Sequence, residues 1–120
     1  MHVAMTKIYG IPNCDTMKKA RAWLGGHGIT YVFHDYRKDG LDKETLDRWA
    51  DRAGWEKLLN RAGTTFRKLP EAERSSIDRN KAIRLMLEYP AMIKRPIAET
   101  DDLLLVGFDP ARYEEVFGPV

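Results

Sequence analysis

The chain contains one cysteine, Cys14, among its 120 residues. A single thiol excludes an internal disulfide. It also excludes a four-cysteine zinc site, and, with His2, His27 and His34 scattered along the chain, a cysteine–histidine one, so we expect no bound metal. A lone reduced thiol suits a reducing compartment. The first ten residues, MHVAMTKIYG, lack the basic segment and the apolar core of a secretory leader. We therefore expect a cytoplasmic protein.

The sequence also lacks long apolar runs and a strong excess of charge. No run approaches the roughly 20 apolar residues that cross a bilayer, and the net charge of +2 does not require a nucleic-acid partner. We expect neither membrane nor nucleic-acid binding. The charge is unevenly distributed, because four basic residues and no acid occur from Lys57 to Lys68. This basic segment is the candidate surface for an anionic ligand.

What is present indicates one folded domain over residues 1–120. The chain is 43% hydrophobic, 32% charged and 10% aromatic, whereas disordered chains combine high charge with few aromatic residues. A chain of 120 residues is long enough to bury one continuous core.

Apolar periodicity and turn residues predict the order β-α-β, several helices, then β-β-α. The predicted segments are a strand at KIYGI, a helix from near Cys14 to Gly25 and Gly26, a strand at Thr30 to Tyr36, helices at Asp42 to Gly54, Trp55 to Asn60 and Asp78 to Tyr89, strands at Ile93 to Ala98 and Leu103 to Phe108, and a helix from Asp109. This order predicts an α/β fold of the thioredoxin/glutaredoxin type, a mixed four-stranded sheet with a helical insertion at about 42–89. Pro96 has no backbone N–H to donate to a neighbouring strand, so it is expected at a sheet edge or at the start of a strand.

Cys14 lies at the predicted turn between the first strand and the first helix. Free N–H groups at a helix N-terminus favour an anion, and only the thiolate of a cysteine is a strong nucleophile. The competing interpretation is an inert cysteine that packs as a small apolar side chain. The flanking Gly10, Pro12 and Asn13 favour an exposed turn, and therefore a functional thiol.

Two basic residues are candidates to stabilise a Cys14 thiolate. Lys18 lies one helical turn beyond Cys14, although a solvated helix face explains it equally well. Arg95 precedes Pro96 in an apolar strand-like run, which is an unusual place for a charge. It is either a partner of an anion or thiolate, or a surface residue.

Three segments together resemble one known family. They are YGIPNCDTMKKA at Tyr9 to Ala20, LLNRAGTTFRKL at Leu58 to Leu69 and YPAMIKRPI at Tyr89 to Ile97. The sequence resembles the arsenate reductase-like branch of the thioredoxin fold, which includes glutaredoxin-coupled arsenate reductases, Spx regulators and YffB-type proteins. The resemblance covers nearly the whole chain, is strongest to the YffB-type branch, and implies a glutathione-dependent thiol reductase.

Differences from the arsenate-reducing members concern the ligands of the oxyanion. Those members have a histidine four residues before the reactive cysteine and an arginine four residues after it, where this chain has Gly10 and Lys18. Their arginine set is matched at Arg95, but the central-loop position holds Asn60 and no arginine occurs near Asp109. Several bidentate donors bind a tetrahedral oxyanion, so arsenate reduction becomes the alternative rather than the first hypothesis.

A second alternative is a non-enzymatic, Spx-like regulator that binds a protein partner. Spx-type proteins typically have a Cys-x-x-Cys switch, and the second cysteine position holds Met17 in this chain. An intramolecular disulfide switch is therefore excluded.

The first hypothesis is a monothiol, glutathione-dependent thiol–disulfide oxidoreductase with Cys14 as nucleophile. Lys18 and Arg95 are expected to stabilise the thiolate. The residues expected to bind glutathione or substrate are Asn13, Asn60, Arg61, Arg67, Arg95 and Pro96. No bound cofactor is expected, because glutathione serves as co-substrate and resolves the mixed disulfide. We expect a monomer whose partners are glutathione, thiol or disulfide substrates and, as a further candidate, glutaredoxin.

Overall fold

The computed structural model of the chain describes residues 6–118. Within this range the chain divides into two compact units. We call the first the sheet unit; it consists of the described residues up to 39 and from 95 onward. The second, the helical unit, is the continuous segment Gly40–Lys94. The assignment of residues 1–120 to one domain with a helical insertion at about 42–89 stays a prediction.

The sheet unit contains a mixed four-stranded sheet. Its strands are β1 (Lys7–Gly10), β2 (Val32–Asp35), β3 (Ile97–Glu99) and β4 (Leu104–Val106). They lie in the order β2-β1-β3-β4; β1 is parallel to β2 and antiparallel to β3, and β3 is antiparallel to β4. A parallel pair joined by a helix and extended by an antiparallel hairpin is the thioredoxin/glutaredoxin arrangement. The predicted fold class is therefore confirmed.

The described residues also form eight α-helices. They are α1 (Asp15–Gly26), α2 (Tyr36–Asp39), α3 (Lys43–Ala53), α4 (Trp55–Leu58), α5 (Thr64–Arg67), α6 (Glu71–Arg74), α7 (Arg79–Glu88) and α8 (Pro110–Phe117). None of the helices within residues 6–118 is long and apolar enough to cross a membrane.

One face of the sheet packs against α1 and α8. Ile8 of β1 and Ala98 of β3 are paired neighbours, and both are fully buried on this face. They form one hydrophobic cluster with Leu105 of β4, with Met17, Ala20 and Leu24 of α1, and with Tyr113 and Phe117 of α8. The α1 residues recur at intervals of three and four, so one stripe of the helix is buried as its periodicity predicted.

The end of α1 differs from the prediction. Gly25 and Gly26 form the last turn of the helix rather than ending it. The chain leaves the helix through His27 and through Gly28, whose φ of +70° lies in the left-handed region that glycine adopts without a Cβ penalty. The N–H of Ile29 then donates to the carbonyl of Leu24 at 2.9 Å, which closes the helix end.

The second strand ends one residue earlier than predicted, which changes the environment of Tyr36. Asp35 Oδ1 accepts hydrogen bonds from the N–H groups of Arg37 (3.0 Å) and Lys38 (3.3 Å). This local capping starts the single turn α2 at Tyr36 instead of extending β2. The Tyr36 side chain is only 1% exposed.

The two longer helices of the helical unit begin at the predicted caps. The side chain of Asp42 accepts from the N–H of Thr45, and that of Asp78 accepts from the N–H of Lys81. The buried faces include Leu46, Trp49 and Ala50 of α3 and Ala82, Ile83 and Met86 of α7. The segment between α4 and α7 contains the single turns α5 and α6.

The C-terminal hairpin is shorter than predicted at both strands. Ile93 does not belong to β3 and forms an isolated bridge with Leu59 within the helical unit. Pro96 immediately precedes β3 and follows a cis peptide bond with Arg95. The N–H of Gly107 donates to the Pro96 carbonyl at 2.8 Å. Pro96 therefore lies before a strand start, as its missing donor required.

The Met17 side chain fills the space beside Gly10 in the sheet unit. A Cβ built on Gly10 would contact Met17 Sδ and would lie 2.7 Å from Met17 Cε. Met17 is fully buried, so its side chain has no solvent into which it can move. A side chain at position 10 therefore requires the end of the Met17 side chain to move within the core.

We expect Gly10→Ala to lower the free energy of unfolding by roughly 1–3 kcal/mol, the usual cost of overpacking a core. In a double-mutant cycle, Gly10→Ala combined with Met17→Ala should destabilise less than the sum of the two single changes, because the second change vacates the contested volume. Urea unfolding followed by tryptophan fluorescence measures all four proteins.

Gly25→Ala is the matched control, since it adds the same methyl group in α1 where no atom lies within 4 Å. It should leave stability unchanged or raise it by up to about 1 kcal/mol, because alanine is the better helix former. Equal effects of the two glycine substitutions, or additivity in the cycle, would contradict the packing explanation.

Candidate active site

Cys14 is the N-cap residue of α1. Its backbone is extended, with φ −118° and ψ 131°, and its carbonyl accepts from the N–H of Lys18 at 2.9 Å. The residue is half-buried, whereas the preceding Pro12 and Asn13 are exposed. The thiol is therefore held at the first turn of a helix, where it packs in part against the hydrophobic cluster and keeps partial exposure. Partial exposure is a feature of reactive cysteines.

The surroundings of Cys14 favour its thiolate. Partial burial raises the pKa of the thiol, but the N–H of Met17, the Arg95 side chain and the N–H of Thr16 outweigh burial and lower the pKa below its ordinary value. The N–H groups of Thr16 and Met17 face the sulfur, but neither makes a capping hydrogen bond of standard distance and angle with it. Both belong to the first turn of α1, where backbone donors lack helical partners.

Arg95 supplies the cationic side chain at this site. It is half-buried, precedes the start of β3, and interacts with Cys14 both by a side-chain hydrogen bond and by charge. β3 runs antiparallel to β1, with Ile97 opposite Tyr9. Arg95 therefore lies beyond the same edge of the sheet at which the chain passes from β1 to Cys14.

Tyr36 is a third side chain at the site and was not predicted. Burial raises the pKa of its hydroxyl, while the neighbouring Arg95 guanidinium lowers it and the charge of Cys14 raises it. The sequence contained a signal for Tyr36. Residues that follow the carboxyl ends of two adjacent parallel strands lie at the same end of the sheet, so a residue after β2 was expected near the segment after β1. The aromatic and β-branched composition of residues 30–36 instead predicted that Tyr36 continues the strand.

The remaining predicted site residues of the sheet unit lie around these three. Asn13 is exposed directly before Cys14, and Pro96 is buried directly after Arg95. Lys18 is exposed one turn along α1 and is not among the groups that most lower the pKa of Cys14. Its contribution to the thiolate stays a prediction.

The other three predicted residues belong to the helical unit. The N–H of Asn60 donates to the carbonyl of Met92 at 2.7 Å, and Asn60 Oδ1 accepts from the N–H of Ala62. The Arg61 guanidinium lies 5.6 Å from the centre of the Trp55 ring. Arg67 is exposed at the end of α5. The structure defines these local contacts, and a role of the three residues in binding glutathione stays a prediction.

The arrangement suits nucleophilic sulfur chemistry. A thiolate at a helix N-terminus, with an arginine that cannot lose its proton, can attack a disulfide sulfur. Because the 120 residues contain no second cysteine, an intermediate disulfide on Cys14 must be resolved by a thiol from outside the chain. No group of three or more His, Cys, Asp or Glu able to hold a metal occurs in the part of the chain that the structure describes.

The fold and the cysteine at the N-terminus of α1 place the chain among α/β proteins that have a thioredoxin/glutaredoxin-like sheet and a thiol at this position. Comparison of the sequence with protein families identifies the family: residues 9–116 match the ArsC family. The chain therefore belongs to the ArsC family.

Solved structures with the same fold include two of high sequence identity. The solution structure of an arsenate reductase (ArsC) related protein from Brucella melitensis is 60% identical, with a TM-score of 0.78 and 99% of each chain covered. The structure of a protein named YffB is 54% identical, with a TM-score of 0.90, over 92% of this chain and 97% of that one. Among curated proteins, the global transcriptional regulator Spx 1 of Lactococcus lactis is 27% identical over 88% of this chain and 83% of its own length.

We expect Arg95→Met to raise the pKa of Cys14, because the substitution removes both the hydrogen bond and the positive charge at the sulfur. The rate of alkylation by iodoacetamide should then inflect at a higher pH, and at pH 7 it should fall by roughly tenfold, as expected for a charge-assisted hydrogen bond. The measurement is the alkylation rate as a function of pH, followed by intact-protein mass.

Lys18→Met is the matched control, since it removes an exposed positive charge from α1 by the same substitution. The pH at which its alkylation rate inflects should rise less than it does in Arg95→Met. A larger shift for Lys18→Met would make Lys18 the main partner of the thiolate and would contradict the assignment to Arg95.

Proposed function

We propose that the protein is a monothiol, glutathione-dependent thiol–disulfide reductase with Cys14 as nucleophile. The observation that supports this most is the lowered pKa of a lone, half-buried thiol that two backbone N–H groups and Arg95 surround. A lowered pKa increases the thiolate fraction at neutral pH, which is the reacting form. The reducing cytoplasm, where glutathione is abundant, is the compartment that suits this chemistry.

The proposed reaction has two exchange steps. In the first, the Cys14 thiolate attacks the glutathionyl sulfur of a mixed disulfide; a bond forms to that sulfur, the old S–S bond breaks, and the substrate leaves as a thiolate that takes a proton from water. In the second, a glutathione thiolate attacks the glutathionyl sulfur on Cys14, which releases oxidised glutathione and the Cys14 thiolate. Two glutathione-derived sulfurs become one disulfide, and the substrate gains two electrons.

Glutathione would bind through its charged and backbone groups. It has two carboxylates, for which an arginine is the geometrically best matched partner. Arg95 is the proposed anchor next to the sulfur, with Asn13 and the backbone at Pro96 beside it. Asn60, Arg61 and Arg67 of the basic segment are proposed as further ligands. The enzyme would act as a monomer, with glutaredoxin as a further candidate partner.

Arsenate reduction is the second candidate, and the relative from Brucella melitensis described as arsenate reductase (ArsC) related supports it. The packing of Met17 against Gly10 weighs against it, because Met17 occupies the space that a side chain at position 10 would need. An assay with arsenate, glutathione and glutaredoxin should show no turnover. Measurable turnover would favour this candidate over the mixed-disulfide reductase.

The similarity to Spx proteins supports a third candidate, a regulator that binds a protein partner. A pull-down from cell extract with the wild type and with Cys14→Ser separates this candidate from the enzyme. Strong capture of one partner by both proteins, together with no reductase activity, would favour the regulator.

We expect oxidised glutathione to form one adduct per chain on Cys14, and reduced glutathione to remove it. Intact-protein mass spectrometry measures both steps. In an assay of glutathione-dependent reduction of a mixed disulfide, Cys14→Ser should fall to the uncatalysed rate, since no other thiol is present. Full activity of Cys14→Ser, or no adduct on the wild type, would refute the proposed function.

A further inference from the structure

The helical unit contains a cleft that the proposed function does not use. Its volume is about 330 Å³, which is at the lower end of the range of ligand pockets. The side chains that line it come from α5, from the segment directly after α5 and from the residue directly after α7: Thr64, Thr65, Lys68, Leu69, Pro70 and Tyr89. All of them belong to the segment 40–94, so the cleft is a feature of one unit.

Backbone hydrogen bonds hold the walls of the cleft in place. The N–H of Lys68 donates to the carbonyl of Thr64 at 3.1 Å, which puts both residues on one side of the single turn α5. The carbonyl of Leu69 accepts from Arg74 Nε at 2.9 Å. The N–H of Tyr89 donates to the last turn of α7 at 2.8 Å. The cleft is therefore formed before a ligand binds, which lowers the entropic cost of binding.

The lining of the cleft combines an apolar wall with a polar rim. Leu69, Pro70 and the ring of Tyr89 form the apolar wall. Tyr89 is 38% exposed, and within the segment 40–94 it is the one large apolar side chain that is exposed. Tyrosine is among the residues that contribute most binding energy at protein interfaces. The polar groups of the rim are those of Thr64, Thr65 and Lys68.

The positive charge of the rim is available to a ligand. Lys68 is the last residue of the basic segment, which contains no acid. Between residues 6 and 118, no side chain of that segment forms an ion pair, whereas Lys43, Arg79 and Arg84 of the same unit have carboxylate partners at 2.8, 3.0 and 2.8 Å. The rim of the cleft therefore favours an anionic ligand.

Two acids next to the cleft indicate what kind of anion fits. Glu71 directly follows Pro70. Glu88 directly precedes Tyr89, so the positive charge is confined to the α5 side of the cleft. A nucleic acid has a phosphate on every nucleotide and would be repelled by these two carboxylates. A peptide avoids this repulsion, because it can place a carboxylate at Lys68 and an uncharged, apolar side chain at Tyr89.

We propose that this cleft binds a short acidic segment of a partner protein. An apolar side chain of the segment packs against Leu69, Pro70 and the ring of Tyr89. A neighbouring carboxylate binds the ammonium group of Lys68 and accepts a hydrogen bond from the Thr64 hydroxyl. The inference goes beyond the proposed function, since it concerns the helical unit alone and involves no redox step.

The test begins with a selection of short random peptides, displayed on phage, against the immobilised full chain. We expect the enriched peptides to contain Asp or Glu next to a large apolar residue. The tightest of them is then made with a fluorescent label, and its affinity is measured by fluorescence anisotropy. No enrichment, or enrichment of peptides without acidic residues, would overturn the proposal.

Two variants locate the peptide on the protein. Lys68→Gln should weaken its binding by roughly tenfold, the effect of one charge-assisted hydrogen bond. Tyr89→Ala should weaken it by about tenfold as well, since it removes an aromatic contact. Lys68→Arg keeps the charge and should bind more tightly than Lys68→Gln. Added salt should weaken the wild type more than Lys68→Gln, because the variant lacks the charge that salt screens.

Lys94→Gln is the matched control, because Lys94 is an exposed lysine of the same unit that does not line the cleft. It should bind the peptide as the wild type does. Equal losses in the two lysine variants, or no loss in Lys68→Gln and Tyr89→Ala, would overturn the proposal. Binding of a single-stranded oligonucleotide that depends on Lys68 and displaces the peptide would also overturn it and would assign the cleft to nucleic acid.

Failure of the proposed function can be separated from failure of this inference. Cys14→Ser should bind the peptide as tightly as the wild type, because Cys14 does not line the cleft. The reductase assay depends on Cys14, and the peptide affinity depends on Lys68 and Tyr89. Either result can therefore be negative while the other is positive.

Discussion

The strand β1 pairs with β2 on one side and with β3 on the other, and these two pairings determine where the residues of the candidate active site lie. Hydrogen bonds to the parallel β2 and to the antiparallel β3 fix three chain segments in register, so that Gly10 lies opposite Asp35 and Tyr9 lies opposite Ile97. The carboxyl ends of β1 and β2 and the amino end of β3 therefore meet at one edge of the sheet. Tyr36 directly follows β2, Cys14 lies four residues after the end of β1, and Arg95 lies two residues before β3, although the three are far apart in sequence.

The balance of forces at Cys14 explains why these neighbours are needed. Burial raises the pKa of the thiol, and the backbone N–H groups of the first turn of α1 and the Arg95 side chain together outweigh it. Arg95 is half-buried, so solvent screens its charge less than that of an exposed lysine. A partly enclosed site can therefore exclude bulk water and still hold a reactive anion.

Features that depend on local sequence could be predicted, and features that depend on competing local interactions could not. The caps Asp42, Asp78 and Asp109 and the strand-to-helix turn at Cys14 follow from residue type and spacing, and the structure contains all of them. Tyr36 could not be placed, because the side chain of Asp35 competes with the ladder and turns the chain one residue before the β-prone run ends. Arg95 was identified because a charge before proline is unusual in an apolar run and because the resemblance to the arsenate reductase-like family includes an arginine at this position.

The contact between Gly10 and Met17 also has a consequence for how this site could change over time. A side chain introduced at position 10 collides with the buried thioether, and removal of the thioether alone leaves a void in the core, so the effects of changes at the two positions are expected to depend on one another. Such epistasis makes the order of substitutions matter. A larger residue at position 10 is therefore expected to be accommodated more easily after a change at position 17 than before it.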